Sequence, residues 1–328
     1  MDRRGFGAAL MATALPIAWR QTHAQDFPSK AVRLVVPFAP GGVLDVSTRA
    51  LAVPLAQELG QQVVVENRAG AGGNIGTEVV ARAAPDGYTL LMITDTNAIA
   101  PALYEKLSYD PIADLLPVTL LASGPHVLVA HPSVPVSDVR ALVAYAKANP
   151  NTLSYATPGS GTAQHMAGEL FKSGAGGLMI THVPYKGGGQ AIVDVVGGQV
   201  PLAVLGLAPA LAHIKGGRLK ALGVTGRARA AVLSDVPTLA ESKVAGLEAF
   251  ETTQWLGLAA PAGTPAAIVR RLHASAVKSI SVSAVESRLK DIGLAVTVSE
   301  SPAAFSDFYR GEIARWAPLV KAVGAKVV

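Results

Sequence analysis

The chain contains no cysteine. That excludes disulfide staples, thiolate metal sites, a cysteine nucleophile and a lipidated cysteine anchor, so the fold stands on packing alone. Aromatic residues make up only 5% of the sequence whereas half of it is hydrophobic, which leaves the core to aliphatic side chains. Runs of like charge are missing as well. The formal charge of +5 falls to +3 when residues 1–24 are set aside, since these hold Arg3, Arg4, Arg20 and Asp2. Scattered basic residues without aromatic interleaving argue against a nucleic-acid partner. A mild positive bias instead helps to attract small anions. Beyond the N-terminus no apolar run approaches the roughly 20 residues that span a bilayer.

The N-terminus reads as an address. Met1-Asp2-Arg3-Arg4 is a charged start, Gly7 to Trp19 is mostly apolar, and Thr22-His23-Ala24 ends in the small residues a signal peptidase favours. A signal peptide over residues 1–24, cleaved after Ala24, is expected. Arg3-Arg4 followed by Phe6 also resembles a twin-arginine export signal, although the pair serves an ordinary signal peptide equally. The mature protein is therefore expected to be soluble and periplasmic.

At 328 residues the chain is long enough for two α/β lobes. From Phe27 onward β-like and helix-like segments alternate at the spacing of a mainly parallel sheet covered on both faces. Residues 25–125 and 251–328 are expected to form one lobe and residues 126–250 the other, with strand-like crossings near residues 126 and 256 as the hinge. Ligands on such sheets bind beyond the carboxyl ends of the strands.

The central stretch is Arg33 to Arg49. A short apolar run breaks at Pro40-Gly41-Gly42, and an amphipathic pattern then begins at Asp45, an acceptable helix N-cap. Strand, glycine turn, helix is an order that favours an anion, because glycine lets backbone approach closely and the first amides of a helix carry partial positive charge. The same order recurs at Thr157-Pro-Gly-Ser-Gly-Thr162 and at Tyr185-Lys-Gly-Gly-Gly189. Three such loops predict a pocket for a small anionic ligand.

Gly70-Ala-Gly-Gly-Asn-Ile-Gly76, with the next strand ending at Asp95, superficially imitates a dinucleotide fingerprint, but its glycine spacing is wrong. Its glycines are expected to let the two lobes approach each other. Catalytic patterns are sparse: Pro158 to Thr162 lacks the outer glycines of the esterase elbow, and no histidine pair has zincin spacing. No cofactor is implied. Trp255 and Trp316 are expected to pack.

A collinear set of motifs resembles the Bug-type substrate-binding proteins of tripartite tricarboxylate transporters. It comprises Pro37-Phe-Ala-Pro-Gly-Gly-Val-Leu-Asp45, Val65-Glu-Asn-Arg68 through Gly76, Ala84-Pro-Asp-Gly-Tyr88, Gly159-Ser-Gly-Thr162 with His165, and His182-Val-Pro-Tyr185-Lys-Gly-Gly. Pro237-Thr-Leu-Ala-Glu241, Pro261-Ala-Gly-Thr-Pro265 and Glu312-Ile-Ala-Arg-Trp316 continue it, so nearly the whole mature chain is covered. The resemblance implies a two-lobed periplasmic-binding-protein fold of type II-like form, with a carboxylate trapped in the cleft. It implies membrane subunits of such a transporter as partner, a monomeric receptor and no catalysis.

Carried over residue by residue, the resemblance nominates Pro40, Gly41, Gly42, Val43 and Asp45 from the first loop. Ser160, Gly161, Thr162 and His165 come from the second and Lys186, Gly187 and Gly188 from the third. Gly72, Gly73 and Asp95 complete the candidate ligand-binding set. One departure stands out: many relatives carry a polar or acidic pair where this chain has Leu205-Gly206. That substitution predicts a carboxylate with an apolar or aromatic body. Two other classes stay open at this level: an exported hydrolase or lyase using Ser160, His165 and an acid of the first lobe, and a sensory receptor for a membrane signalling protein.

Overall fold

The computed structural model describes residues 27–326, so the expected signal peptide lies outside the described residues. In the first lobe β1 (Val32–Val36) breaks at the glycine turn and α1 (Val43–Leu59) follows. Then come β2 (Val63–Asn67), α2 (Asn74–Ala81), β3 (Thr89–Thr94) and α3 (Asp95–Leu103). The next strand, β4 (Leu115–Ala130), is 16 residues long and serves both lobes.

The second lobe contains α4 (Val139–Ala148), β5 (Leu153–Thr157), α5 (Ala163–Gly174) and β6 (Ile180–Pro184). It continues through α6 (Gly188–Val196), β7 (Leu202–Gly206), α7 (Leu207–Lys215) and β8 (Lys220–Val224). The chain returns along β9 (Thr253–Pro261) and ends with α8 (Ala266–Ile280), α9 (Ser283–Asp291), β10 (Ala295–Val296) and α10 (Pro302–Ala322).

The expected two-lobed α/β architecture is present. In the first lobe β1 lies between β2 and β3 and is parallel to both; in the second, β5 lies between β6 and β7 and is parallel to both. The two sets meet through antiparallel pairings with β4 and β9. From Leu115 to Pro125, β4 pairs with β9; from His126 onward it pairs with β7 and β8. The sequence read β structure only from His126, because Pro117 and Ser123-Gly-Pro125 look like breakers. Register shifts near Pro117 and Leu120 let the strand absorb the irregularity.

Burial explains the long apolar runs. Alternate residues of a strand point to opposite faces. Leu34, Leu90 and Met92 enter one helix-covered layer of the first lobe, whereas Val35, Leu91 and Ile93 enter the other. In the second lobe Leu128 and Val204 face one layer and Val127 and Leu205 the opposite one. Strands buried on both faces must be apolar throughout.

Two local expectations change. Asp45 is not the N-cap of α1; Gly42 takes that position, and Asp45 stands in the first turn. Asp95 does not end β3 but opens α3, where Thr94 and Asn97 form a capping box. The polar stretch Thr94-Asp95-Thr96-Asn97, between the apolar runs Leu90–Ile93 and Ala98–Leu103, carries the capping signal of that switch.

Candidate ligand-binding site

Between the lobes lies a cavity of about 560 Å³, counted to its open mouth. Five helix N-termini border it. Gly42, Val43 and Leu44 bring in α1; Thr94, Asp95 and Thr96 bring in α3. From the second lobe Gln164 belongs to the first turn of α5, Gly188 opens α6 and Gly206 caps α7. Phe38, Pro158, Pro209, Gln254, Trp255 and Leu256 complete the wall. The caps of α1, α6 and α7 are glycines with no side-chain cap bond. Their first-turn amides therefore have no partner within the helix, and the helix dipoles add positive potential at the same point. Among the described residues no lysine or arginine lines this cavity.

Asp45 lines the cavity but its carboxylate is already engaged. Oδ2 accepts the Gly41 N–H at 3.0 Å, while Oδ1 accepts from Arg49 Nε at 3.0 Å and Asn67 Nδ2 at 2.9 Å. Burial works to raise its pKa, yet the bonds from Arg49, Gly41 and Asn67 outweigh burial and hold it below the usual value. Asp45 thus fixes the shape of the glycine turn and leaves the α1 amides free.

The floor carries a different kind of acid. Asp95 is 3% exposed; its Oδ1 accepts the Thr96 N–H at 2.8 Å, and its Oδ2 has no hydrogen-bond partner. His126 Nε2 stands 3.9 Å from Oδ2. Burial raises the Asp95 carboxyl to about 8, with Glu312 adding to the rise and the Thr96 N–H, Thr94 and Arg315 opposing it. The imidazole of His126 is fully enclosed and burial depresses it to about 3. Gln254 Nε2, also on this floor, has no partner.

A second space adjoins the first across Phe38 and Pro158. Gly72, Gly73, Ser160 and Lys186 line it, with Tyr104 and Tyr185. At this seam the lobes touch directly. A Cβ on Gly72, where φ is +61°, would stand 2.4 Å from the Ser160 carbonyl oxygen. Only glycine allows that approach.

The tripartite tricarboxylate transporter family receptors match this chain over residues 47–325. The chain belongs to this receptor family. BugT of Bordetella pertussis is 36% identical over 325 residues, covering 98% of this chain and 97% of its own length. The structure of R. palustris Rpa4515 with adipate has a TM-score of 0.87 at 35% identity, covering 92% of this chain and 100% of that one. MatC (Rpa3494) from Rhodopseudomonas palustris, with bound malate, reaches 0.85 at 34% identity over 90% and 100% of the two chains. Among the described residues no helix is long and apolar enough to cross a membrane.

In this receptor the nominated residues fall into three places. Gly42, Val43, Asp45, Asp95 and Gly188 line the main cavity; Gly72, Gly73, Ser160 and Lys186 line the adjoining space. The remainder lie at lobe contacts or behind the loops. Pro40 and Gly41 pack against Gly189, and Gly187 packs against Ala39, whose N–H donates to the Lys186 carbonyl at 3.0 Å. Gly161 meets Leu103 and Tyr104. Thr162 caps α5 by accepting the His165 N–H, and His165 Nδ1 accepts the Gly161 N–H at 3.2 Å while its ring stacks on His182 at 4.0 Å.

Sequence reasoning missed Phe38, Thr94, Thr96, Gln164, Gln254 and Trp255 as lining residues. Trp255 does pack, as expected, and one side of it also faces the cavity. A usable signal existed for Gln254: it is the one amide in an otherwise apolar run from Gln254 to Ala260. Of the Leu205-Gly206 pair, only Gly206 reaches the cavity; Leu205 is buried in the second lobe's core.

Proposed function

We propose that the mature chain is a periplasmic receptor that binds a small carboxylate in the interlobe cavity and delivers it to the membrane subunits of a tripartite tricarboxylate-type transporter. The carrying observation is the set of uncapped glycine-led N-termini of α1, α6 and α7 on one cavity that, among the described residues, holds no basic side chain. Backbone amides so arranged donate to a carboxylate and need no counter-cation. The adipate and malate in the structures of related receptors support the same ligand class. Walls formed by Phe38, Val43, Pro158, Pro209 and Trp255 suit an apolar-bodied acid.

In this reading residues 25–125 and 251–328 move against residues 126–250, with β4 and β9 as the flexing pair. Ligand contacts from both lobes hold the closed form, which the membrane partner distinguishes from the open one. The receptor acts as a monomer, without cofactor or catalytic step, after export by its N-terminal signal. His165 uses Nδ1 to accept the Gly161 N–H, so that nitrogen is not available as a base toward Ser160. The test is a thermal-shift screen of residues 25–328 against carboxylates and their uncharged amides. A rise with an acid, none with its amide and no product on prolonged incubation supports the receptor; turnover of the acid overturns it.

A further inference from the structure

Behind the second loop, Thr157 to Thr162, two imidazoles stand face to face. His165 of α5 and His182 of β6 have ring centroids 4.0 Å apart and planes inclined by 18°. Each holds the loop by one nitrogen. His165 Nδ1 accepts the Gly161 N–H at 3.2 Å, and His182 Nε2 lies 2.7 Å from Thr157 Oγ1, which accepts the Gly159 N–H at 3.3 Å. Pro158 of this loop lines the main cavity, and Gly159 and Ser160 line the adjoining space. The loop is also where the second lobe touches the first. Its Ser160 carbonyl accepts from the Tyr104 hydroxyl at 3.3 Å, and a Cβ on Gly161 would stand 2.8 Å from Leu103 Cδ2 and 2.9 Å from the Tyr104 oxygen. Gly161 is therefore wedged between the His165 ring and the end of α3 in the opposite lobe.

We propose that His165 is a positioning residue whose bare Nδ1 sets the Gly159-Ser160-Gly161 loop for closure, so that the lobes close on ligand only while this ring carries a single proton. The inference rests on the closing-receptor reading above and adds a proton dependence to it.

The geometry fixes the tautomer. A backbone N–H only donates, so Nδ1 must accept and the ring's one proton sits on Nε2. Nε2 faces Glu169 Oε1 at 4.0 Å, and that carboxylate also accepts from the Tyr155 hydroxyl at 2.6 Å and from Lys172 Nζ at 2.8 Å. A second proton, on Nδ1, would aim two donors at each other. With the lobes apart Gly161 can yield by moving off the ring; with the lobes closed Leu103 and Tyr104 bar that movement. The positive charge is opposed too. Burial holds the His165 pKa below its usual value, with Lys172 adding to the fall and Glu169 countering it. The ring stacked on it is no better placed to take a charge, since burial, His165 and Lys172 push His182 down to about 3. The closed form thus excludes a proton that the open form accepts. Closure is favoured above the open-form imidazole value and is lost as pH falls through it.

The experiment is calorimetric titration of residues 25–328 with malate, citrate, adipate, nicotinate and benzoate, repeated from pH 7.5 to 5.5 with each acid that binds. With an open-form imidazole near the ordinary value of about 6.5, wild-type affinity should fall about tenfold over that range. The acid's own groups titrate alike against every variant, so the comparison between variants isolates the ring. His165→Leu removes the acceptor and should weaken binding about tenfold at pH 7.5. His165→Asn returns an acceptor oxygen near the place of Nδ1 that takes up no proton. It should recover affinity to within about threefold of wild type at pH 7.5 and flatten the profile. At pH 6, read in buffers of different ionisation enthalpy, ligand binding to His165→Asn should release about 0.8 proton fewer than binding to wild type. Circular dichroism confirms that each variant is folded. A pH profile unchanged in His165→Asn, or full affinity in His165→Leu, overturns the positioning role and leaves the carboxylate receptor standing. Binding of none of the five acids overturns the carboxylate reading and this inference with it.

Discussion

Thr96 Oγ1, in the first turn of α3, accepts a hydrogen bond from the backbone nitrogen of Ala163, the first residue of α5, at 3.4 Å. The bond joins two lobes by the very helix starts that border the cavity. Ala39 to Lys186 and Tyr104 to Ser160 tie the same seam at 3.0 and 3.3 Å. In the proposed closing motion these few polar contacts are the ones that join the two lobes. Thr96→Val removes one of them and is expected to weaken ligand affinity about fivefold, from a bond worth about 1 kcal/mol, with the lobes still folded. Calorimetry with the best carboxylate, alongside the ligand-free melting temperature, checks both halves.

Gly72 sets how closely the lobes can meet. A methyl group there would press on the Ser160 carbonyl at 2.4 Å, in a backbone conformation that side chains rarely adopt. Gly72→Ala is expected to hold the seam open and cut apparent affinity by at least about tenfold, since ligand must then offset an added closing cost of more than about 1.4 kcal/mol. Small-angle scattering at saturating ligand should give a larger radius of gyration than wild type. An unchanged radius and affinity would remove Gly72 from the closing contact.

Trp255 links the cavity to the first lobe's core. Its Nε1–H donates to Glu312 Oε2 at 3.0 Å, and Glu312 is buried beside Arg315. Trp255→Phe leaves that carboxylate one donor short and is expected to cost about 1–3 kcal/mol of stability. It should also abolish the ligand-induced change in tryptophan emission, because Trp316 is wholly buried and does not line the cavity. Denaturant unfolding and fluorescence titration read the two effects separately.

The buried pair Asp95 and His126 gives stability a defined pH course. Burial raises the folded Asp95 pKa to about 8, so its contribution is fully present below the unfolded carboxyl value and is lost as pH rises through about 8. His126 runs the other way: burial lowers its folded pKa to about 3, so its contribution is present above the unfolded imidazole value and lost as pH falls toward 3. Asp95→Asn is expected to stabilise the protein more at pH 8 than at pH 4. Unfolding midpoints in denaturant across that range would show a flattened alkaline limb; an unaltered limb would contradict the assignment.

Much of this was legible where the signal is local. The break at Pro40-Gly41-Gly42 and the loops at Gly159 and Gly187 announce strand-to-helix turns by residues that few other structures tolerate. The paired arginine and asparagine that hold Asp45 were not legible, because Asn67 comes from β2 and meets Asp45 only in the fold. The start of α3 is a different case: the polar run Thr94-Asp95-Thr96-Asn97 does carry a capping signal, but an acid directly after an apolar strand is equally compatible with a strand end. β4 was obscured because its prolines sit where irregular pairing excuses them. Gln254 and Asp95 lie far apart in sequence, and their partnerless state is a property of packing that no spacing of residues announces.

In the proposed binding mode, backbone amides at the glycine-led helix starts hold the carboxylate. Its most direct measurement is an amide nitrogen–proton NMR titration of the labelled mature chain with the best-binding acid and with the matching uncharged amide. Saturating downfield shifts of the amide protons of Val43, Leu44, Gly188 and Leu207 are expected with the acid, and none with the amide. Equal shifts with both ligands, or changes confined to Lys186 and the adjoining space, would contradict it.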